Sequence, residues 1–403
     1  MAGDQSVLKQ INRMAIVRLC KSRPSLARGD LAELTGLADS TVSVLVNELV
    51  DEGWLVSSSS DLKRSGAGRR PKVLALNPSR LAVLGAEIGV DYLAVSACNL
   101  YGEQLFSRII DYDHIEEARS VADTAVLLAE ARGRLAALER VPLGVGIGVP
   151  GMVTPEGLLR FAPNLGWRDV PIGDQLAASL ERVGVGGLRV TALNDANARA
   201  LAEYVFGATP PMGSLVYLSV GWGIGAGIVI DDRLVLGHSG FSGEVGHSII
   251  DPGGEACTCG RRGCVETMLS QKGVSRMVTG REAPILSINE LAQRLAQGES
   301  AVLEAARAAG EQLGLVVHNL LVTLDPAVLV LGGPLGGLPG FVDAALESLK
   351  LLRGASTSHR ALVRPCAFGA AAGAVGAAAS VLHEILHPVA HPPARVGLQV
   401  AAS

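Results

Sequence analysis

Three of the chain's six cysteines, Cys257, Cys259 and Cys264, lie close together, and His247 precedes them in the pattern H-x9-C-x-C-x4-C. Any fold of this chain must bring these four side chains to one point. The spacing is too tight for a disulfide framework and suits a shared ion. Three thiolates and an imidazole form a zinc-type donor set, here on a short glycine-rich loop. Four protein ligands close such a site, so the expected cofactor, Zn2+, would be structural. Cys20, Cys98 and Cys366 lie in apolar settings and read as core residues.

The first eighty residues have a different character. VLKQINRMAIVRLC, residues 7–20, places apolar side chains at helical spacing. A short helix fits Arg28 to Thr35, with Leu31 and Leu34 facing inward. Gly36 supplies a turn, because glycine tolerates a positive φ. Asp39 or Ser40 can cap a further helix from Thr41 to Asp51, whose buried stripe is Val42, Leu45, Val46 and Leu49. Helix, glycine turn and helix make a helix-turn-helix, whose second helix enters a major groove by its N-terminal end. Thr41, Ser43 and Asn47 lie off the apolar stripe and are candidate DNA contacts. Trp54 to Val56 and Lys72 to Leu76 read as the strands of a wing. The loop between them is glycine-containing and basic. Lys63, Arg64, Arg69, Arg70 and Lys72 can neutralise phosphates, and Arg69 and Arg70 can reach a minor groove.

The charge distribution agrees with this division. Residues 1–80 hold 12 Lys or Arg against 8 Asp or Glu, a net of +4. The remainder holds 23 against 31, a net of -8. A basic head on an acidic body suits a double-stranded DNA reader joined to another module. Neither a signal peptide nor a long uninterrupted apolar run is evident. The alanine-rich stretch 367–382 reads as a packed helix, and a cytoplasmic protein is expected.

Beyond Asn77-Pro78 the chain reads as α/β. Residues 81–88 and 92–98 form adjacent strands, as do 214–220 and 224–230. Helices fit 115–138 and 300–322, and strands fit 143–149 and 327–332. Strand pairs followed by crossover helices predict two sheet-centred lobes with a cleft for a small molecule. Asn194 and Asp195 sit where the strand-like LRVTAL meets the helix-like ARALAEYVF, so Asp195 can point into that cleft. Glu244 lies three residues before His247, and Glu266 two residues after Cys264. Acidic groups converging on one polar pocket suit a neutral polyol, whose hydroxyls they can accept.

The segment GEVGHSIIDPGGEACTCGRRGCVE, residues 243–266, resembles the hallmark of the ROK family (repressors, open reading frames and kinases). APNLGWRDVPI at 162–172, LNDANARALAE at 193–203 and LDPAVLVLGGPL at 324–335 resemble further family segments, and the joined winged helix-turn-helix resembles its transcriptional regulator branch. The resemblance implies a winged helix-turn-helix followed by a two-lobed α/β actin-like (ribonuclease H-like ATPase) sugar-kinase fold. The implied domains are 1–78 for DNA binding, 81–200 for the first lobe, completed by a C-terminal helix 368–386, and 201–367 for the second lobe with the zinc loop 247–264. It places Asn194, Asp195, Glu244, His247 and Glu266 on sugar-contacting positions, with Asn164 and Gly151 near that pocket. His247 would bind zinc through one ring nitrogen and a sugar hydroxyl through the other. A homodimer or homotetramer is implied.

The departures from the kinase pattern are specific. Where the family's first phosphate loop reads Asp-x-Gly-Gly-Thr, this chain has Glu87-Ile88-Gly89-Val90-Asp91. Where its second reads Gly-Thr-Gly, this chain has Gly221-Trp222-Gly223. An acidic side chain at Asp91 would repel a triphosphate that a glycine-threonine nest would attract. The expected function is therefore a sugar-responsive transcriptional regulator, a repressor of carbohydrate-utilisation genes, with no catalytic residue required. The alternative is an ATP-dependent sugar kinase that also binds DNA, with Asp195 as its base.

Overall fold

The computed structural model of the chain describes residues 2–59, 72–112, 116–207, 213–353 and 361–388. These form two compact units, residues 1–81 with the chain from 382 on, and residues 82–381.

The N-terminal unit carries helices α1 (Ala2–Ser22), α2 (Arg28–Thr35) and α3 (Asp39–Asp51) and the antiparallel pair β1 (Leu55–Ser59) and β2 (Lys72–Leu76). Met14, Ile16, Val17 and Cys20 of α1 are buried with Leu31 of α2 and with Val42, Leu45, Val46 and Leu49 of α3. Gly36 ends α2 at φ +69, where its N–H reaches the Ala32 carbonyl at 2.9 Å. A left-handed residue here closes the helix and turns the chain into α3. Two expectations fail. Leu34 is exposed, because the inward line of this short helix runs through Leu31 and Thr35, and Thr35 Oγ1 donates back to the Leu31 carbonyl. Asp39 and Ser40 cap nothing: α3 starts two residues earlier than expected, behind Ala38, which makes no side-chain cap bond. Asp39 instead places its charge in the first turn, where the helix dipole favours it.

The body holds two five-stranded sheets. The first is built from β3 (Leu81–Ile88), β4 (Tyr92–Asn99), β5 (Gln104–Asp111), β6 (Val141–Val149) and β10 (Val190–Asn194). Helix α4 (Glu117–Ala137) precedes β6. After β6 come the short strands β7 (Met152–Val153), β8 (Leu159–Ala162) and β9 (Trp167–Val170), which form their own sheet, and helix α5 (Ile172–Arg182). Helix α6 (Asp195–Leu201) follows β10 directly and runs on as a π-helical turn, Ala202–Phe206. The second sheet uses β11 (Ser214–Val220), β12 (Ile224–Ile230) and β13 (Arg233–Leu234), followed by helices α7 (Val265–Leu269), α8 (Gln271–Thr279), α9 (Ile288–Ala296) and α10 (Ser300–Leu324). Strand β14 (Val328–Gly332), helix α11 (Phe341–Arg353), strand β15 (Leu362–Pro365) and helix α12 (Ala372–Leu386) follow.

The strand orders are β10-β6-β3-β4-β5 and β13-β12-β11-β14-β15. Each sheet is an antiparallel three-strand meander whose first strand is flanked by the fourth and then the fifth, and the last two strands run parallel. The same plan therefore occurs twice, each copy around its own apolar core. This is the two-lobed α/β architecture.

Helix α12 packs on the first sheet at very short range. A Cβ at Gly85 of β3 would lie 2.0 Å from the Ala374 carbonyl, and one at Gly146 of β6 would lie 1.8 Å from that of Ala377. Glycine on the strands and alanine on the helix let the two backbones approach. The segment Gly369–Leu386 is long and apolar enough to cross a membrane, yet 78% of it is buried inside the protein. Its residues from Leu382 on group with the N-terminal unit.

Candidate functional site

The cleft of the body forms where β10 ends and α6 begins. Asn194 caps α6: its Oδ1 accepts from the N–H groups of Ala196 at 2.8 Å and Asn197 at 3.2 Å. Its Nδ2 donates to the Gly151 carbonyl at 2.9 Å, tying the turn after β6 to the same point. Asp195, the first residue of α6, is thereby held at the cavity wall. Asn164, Asn194, Asp195, Glu244, His247 and Glu266 all line one cavity, with Gly151, Val90 and Trp222.

The opposite wall comes from the loop after β13. The Ala226 N–H donates to the Gly243 carbonyl at 2.7 Å, which docks the loop on β12 just before Glu244. Glu266 lies in α7, and its Oε2 accepts the Ile224 N–H at 3.1 Å. Burial, with the charges of Asp195 and Glu266, pushes the Glu244 carboxyl up to about 7. A carboxyl with that value can donate or accept a hydrogen bond to a hydroxyl.

His247, Cys257, Cys259 and Cys264 converge as the spacing predicts. Their ligating atoms all lie within 4.8 Å of one another. His247 Nδ1 is 3.6 Å from Cys257 Sγ, and the Cys259 and Cys264 sulfurs are 3.7 Å apart. That sulfur separation matches the edge of a tetrahedron with metal–sulfur bonds of about 2.3 Å. The cluster can hold a metal ion. His247 presents its other nitrogen, Nε2, 3.9 Å from Glu244 Oε2. Among the remaining cysteines, Cys20 and Cys98 are fully buried. Cys366 is half-buried and accepts the Phe368 N–H, so the core assignment fails there.

The loop 87–91 departs from its sequence reading. Asp91 does not line the cavity; it is exposed in the β3–β4 turn, which closes by the Gly89 N–H donating to the Tyr92 carbonyl. Tyr92 lines the cavity instead. Glu87 is 1% exposed and accepts from the Tyr92 hydroxyl at 2.8 Å and from Arg199. Arg199, one turn into α6, also donates to Asp195 Oδ2 at 2.7 Å. Sequence reading missed both Tyr92 and Arg199. The available signal was an arginine inside the otherwise apolar helix run Ala198–Leu201, four residues from Asp195. Trp222 lines the cavity with its Nε1–H buried and unpartnered among the described residues.

On α3, Thr41 and Asn47 are exposed with Val44 between them, and Ser43 is half-buried. Arg28 Nη2 donates to Asn47 Oδ1 at 2.7 Å, so Asn47 is held from α2. Lys72 is exposed at the end of β2 next to the hairpin loop, opposite Ser59. Lys63, Arg64, Arg69 and Arg70 lie outside the described residues.

A DNA-reading helix pair and a two-lobed actin-like body with a polar cleft define a regulator built on a sugar-kinase fold. Residues 83–384 match the model of the ROK family. The chain is 31% identical over 347 residues to the xylose repressor of Caldicellulosiruptor bescii, covering 82% of this chain and 84% of that one. Its fold matches a crystal structure of a ROK family transcriptional regulator, a homologue of the E. coli MLC protein, at a TM-score of 0.76 and 26% identity, covering 94% of this chain and 98% of that one. It also matches a ROK family glucokinase from Streptomyces griseus in complex with glucose and AMPPNP, at a TM-score of 0.63 and 27% identity, covering 74% of this chain and 98% of that one. The chain belongs to the ROK family.

Proposed function

We propose that this protein is a sugar-responsive transcriptional repressor of carbohydrate-utilisation genes. Its winged helix-turn-helix binds operator DNA, and a sugar in the cleft of the body changes that binding. The observation that carries this reading is the convergence of six polar residues, Asn164, Asn194, Asp195, Glu244, His247 and Glu266, on one cavity in a chain that opens with a helix-turn-helix. The relation to a xylose repressor over most of both chains supports it.

The metal in this reading is Zn2+. Three sulfurs and one imidazole nitrogen within 4.8 Å fit a closed tetrahedral site, and a bound Zn2+ would supply structural fixation of the loop. His247 would hold the ion through Nδ1, the nitrogen nearest Cys257, which would leave Nε2 for the sugar. Asp195 accepts a sugar hydroxyl, Glu244 and Glu266 accept or exchange hydrogen bonds with others, and Trp222 offers its buried N–H and an apolar face. Asn194 acts by holding Asp195 and the Gly151 turn. Thr41, Ser43 and Asn47 face a major groove, and Lys72 with Lys63, Arg64, Arg69 and Arg70 neutralises phosphates. The protein acts in the cytoplasm as a homodimer or homotetramer, which presents two heads to a symmetric operator.

A thermal-shift screen of neutral sugars on the purified, zinc-loaded protein tests the sugar site, because a ligand that binds the native state raises its apparent stability. At least one sugar is expected to raise the melting temperature; no response across pentoses, hexoses, amino sugars and disaccharides would reject the sugar site.

A further inference from the structure

Arg199 is 5% exposed, yet it is the single arginine or lysine among the described residues lining the cleft. Its guanidinium joins two carboxylates far apart in sequence. Nη1 donates to Asp195 Oδ2 at 2.7 Å, and Nη2 donates to Glu87 Oε1 and to the Tyr92 hydroxyl, the latter at 2.9 Å. Tyr92 in turn donates to Glu87 Oε1. The other Glu87 oxygen has no partner among the described residues, and a Cβ at Gly373 would lie only 1.9 Å from it.

Two carboxylates at the wall of a polar cleft can hold a divalent cation, and phosphoryl transfer from a nucleotide depends on such a cation. Here the positive charge between them is covalently part of the chain. Its terminal nitrogens are already engaged, so it offers little to an incoming phosphate. The cavity's acidic groups, Glu87, Asp195, Glu244 and Glu266, offer an incoming phosphate no compensating positive charge.

We propose that Arg199 is a resident counter-ion standing where a divalent metal would stand between Glu87 and Asp195, and that it thereby confines the cleft to neutral sugars. The second half of this rests on the sugar-binding reading above. It follows that removing the guanidinium converts Glu87 and Asp195 into a cation site. The buried Glu87 and the part-exposed Asp195, left without their shared counter-ion, bind a replacement cation or destabilise the fold.

The test is Mn2+ binding to zinc-loaded, full-length protein, followed by electron paramagnetic resonance and calorimetry. Arg199→Ala should bind Mn2+ at least about tenfold more tightly than the wild type. The double variant Arg199→Ala/Glu87→Gln should lose that gain. Should Arg199→Ala not fold, Arg199→Gln, which keeps a donor for one carboxylate without the charge, is expected to give the same result. Arg199→Lys, which retains a cation, should stay as weak as the wild type. Wild-type protein that already binds Mn2+ as tightly as the charge-removed variants, or a folded charge-removed variant with no gain, would overturn the proposal. A parallel titration of the wild type with neutral sugars and their phosphate esters reads the second half, and a preference for the phosphate esters would reject it. If no sugar binds at all, the sugar-binding reading fails while the Mn2+ comparison still decides the role of Arg199.

Discussion

Asp195, proposed as a sugar contact, shows how far a side chain's role is set by its neighbours. Asn194 sets its place by capping α6, and Arg199 holds one of its oxygens. A hydrogen bond to a charged group contributes about 1.5–3 kcal/mol, so Asp195→Asn should weaken sugar binding by roughly one to two orders of magnitude, read by calorimetry. The thiols give a second expectation. Burial pushes Cys20 up to about 11 and Cys98 up to about 12. A raised value means less thiolate, so at about pH 8 neither thiol should react with a disulfide reagent while the protein is folded. Labelling at either position before unfolding would contradict the burial. At this scale the sequence reveals residues whose partners are close along the chain, such as the cysteine loop and the Asn194-Asp195 pair. It hides Glu87 and Arg199, which lie 112 residues apart and acquire a common role only after folding.

The elements were legible where periodicity or punctuation is strong. The helix 28–35 and the strands 72–76, 81–88, 214–220 and 224–230 stand where the sequence places them. Strands β7 and β13 have two residues each, and pairing alone defines them, so no alternation announces them. Leu34 misled because a hydrophobic residue at the edge of a short helix has no stripe to join. The glycines of β3 and β6 carry little meaning in a glycine-rich sequence until α12 is seen against them. Gly146→Ala should therefore destabilise the body by about 1–3 kcal/mol in chemical denaturation, because overpacking forces the helix off the sheet. The metal loop is tested separately. Cys259→Ser should lower zinc content and weaken the sugar response. Metal analysis showing full zinc with an unchanged response would reject the structural role of the site.

At the scale of the whole molecule, the duplicated sheet plan is recorded in connectivity, not in repeated residues. Two strand pairs and two crossover helices were visible, whereas the matching strand orders were not. The charge contrast between the first eighty residues and the rest was visible and is the coarse signature of a DNA reader joined to a sensor. Regulation by a sugar requires a coupling free energy between the cleft and the helix-turn-helix. Such couplings run to about 1–3 kcal/mol, a factor of roughly 5–150 in affinity. By linkage, operator DNA must change sugar affinity by the same factor.

The most direct measurement is a fluorescence-anisotropy titration of the zinc-loaded protein against an operator fragment selected from random duplexes, with and without a saturating sugar identified by thermal shift. The account predicts that the sugar shifts operator affinity by at least about fivefold, with release the expected direction. Saturating sugar with no change in operator affinity would contradict it, above all if a coupled assay then showed ATP-dependent turnover of that sugar at about 1–10³ s⁻¹.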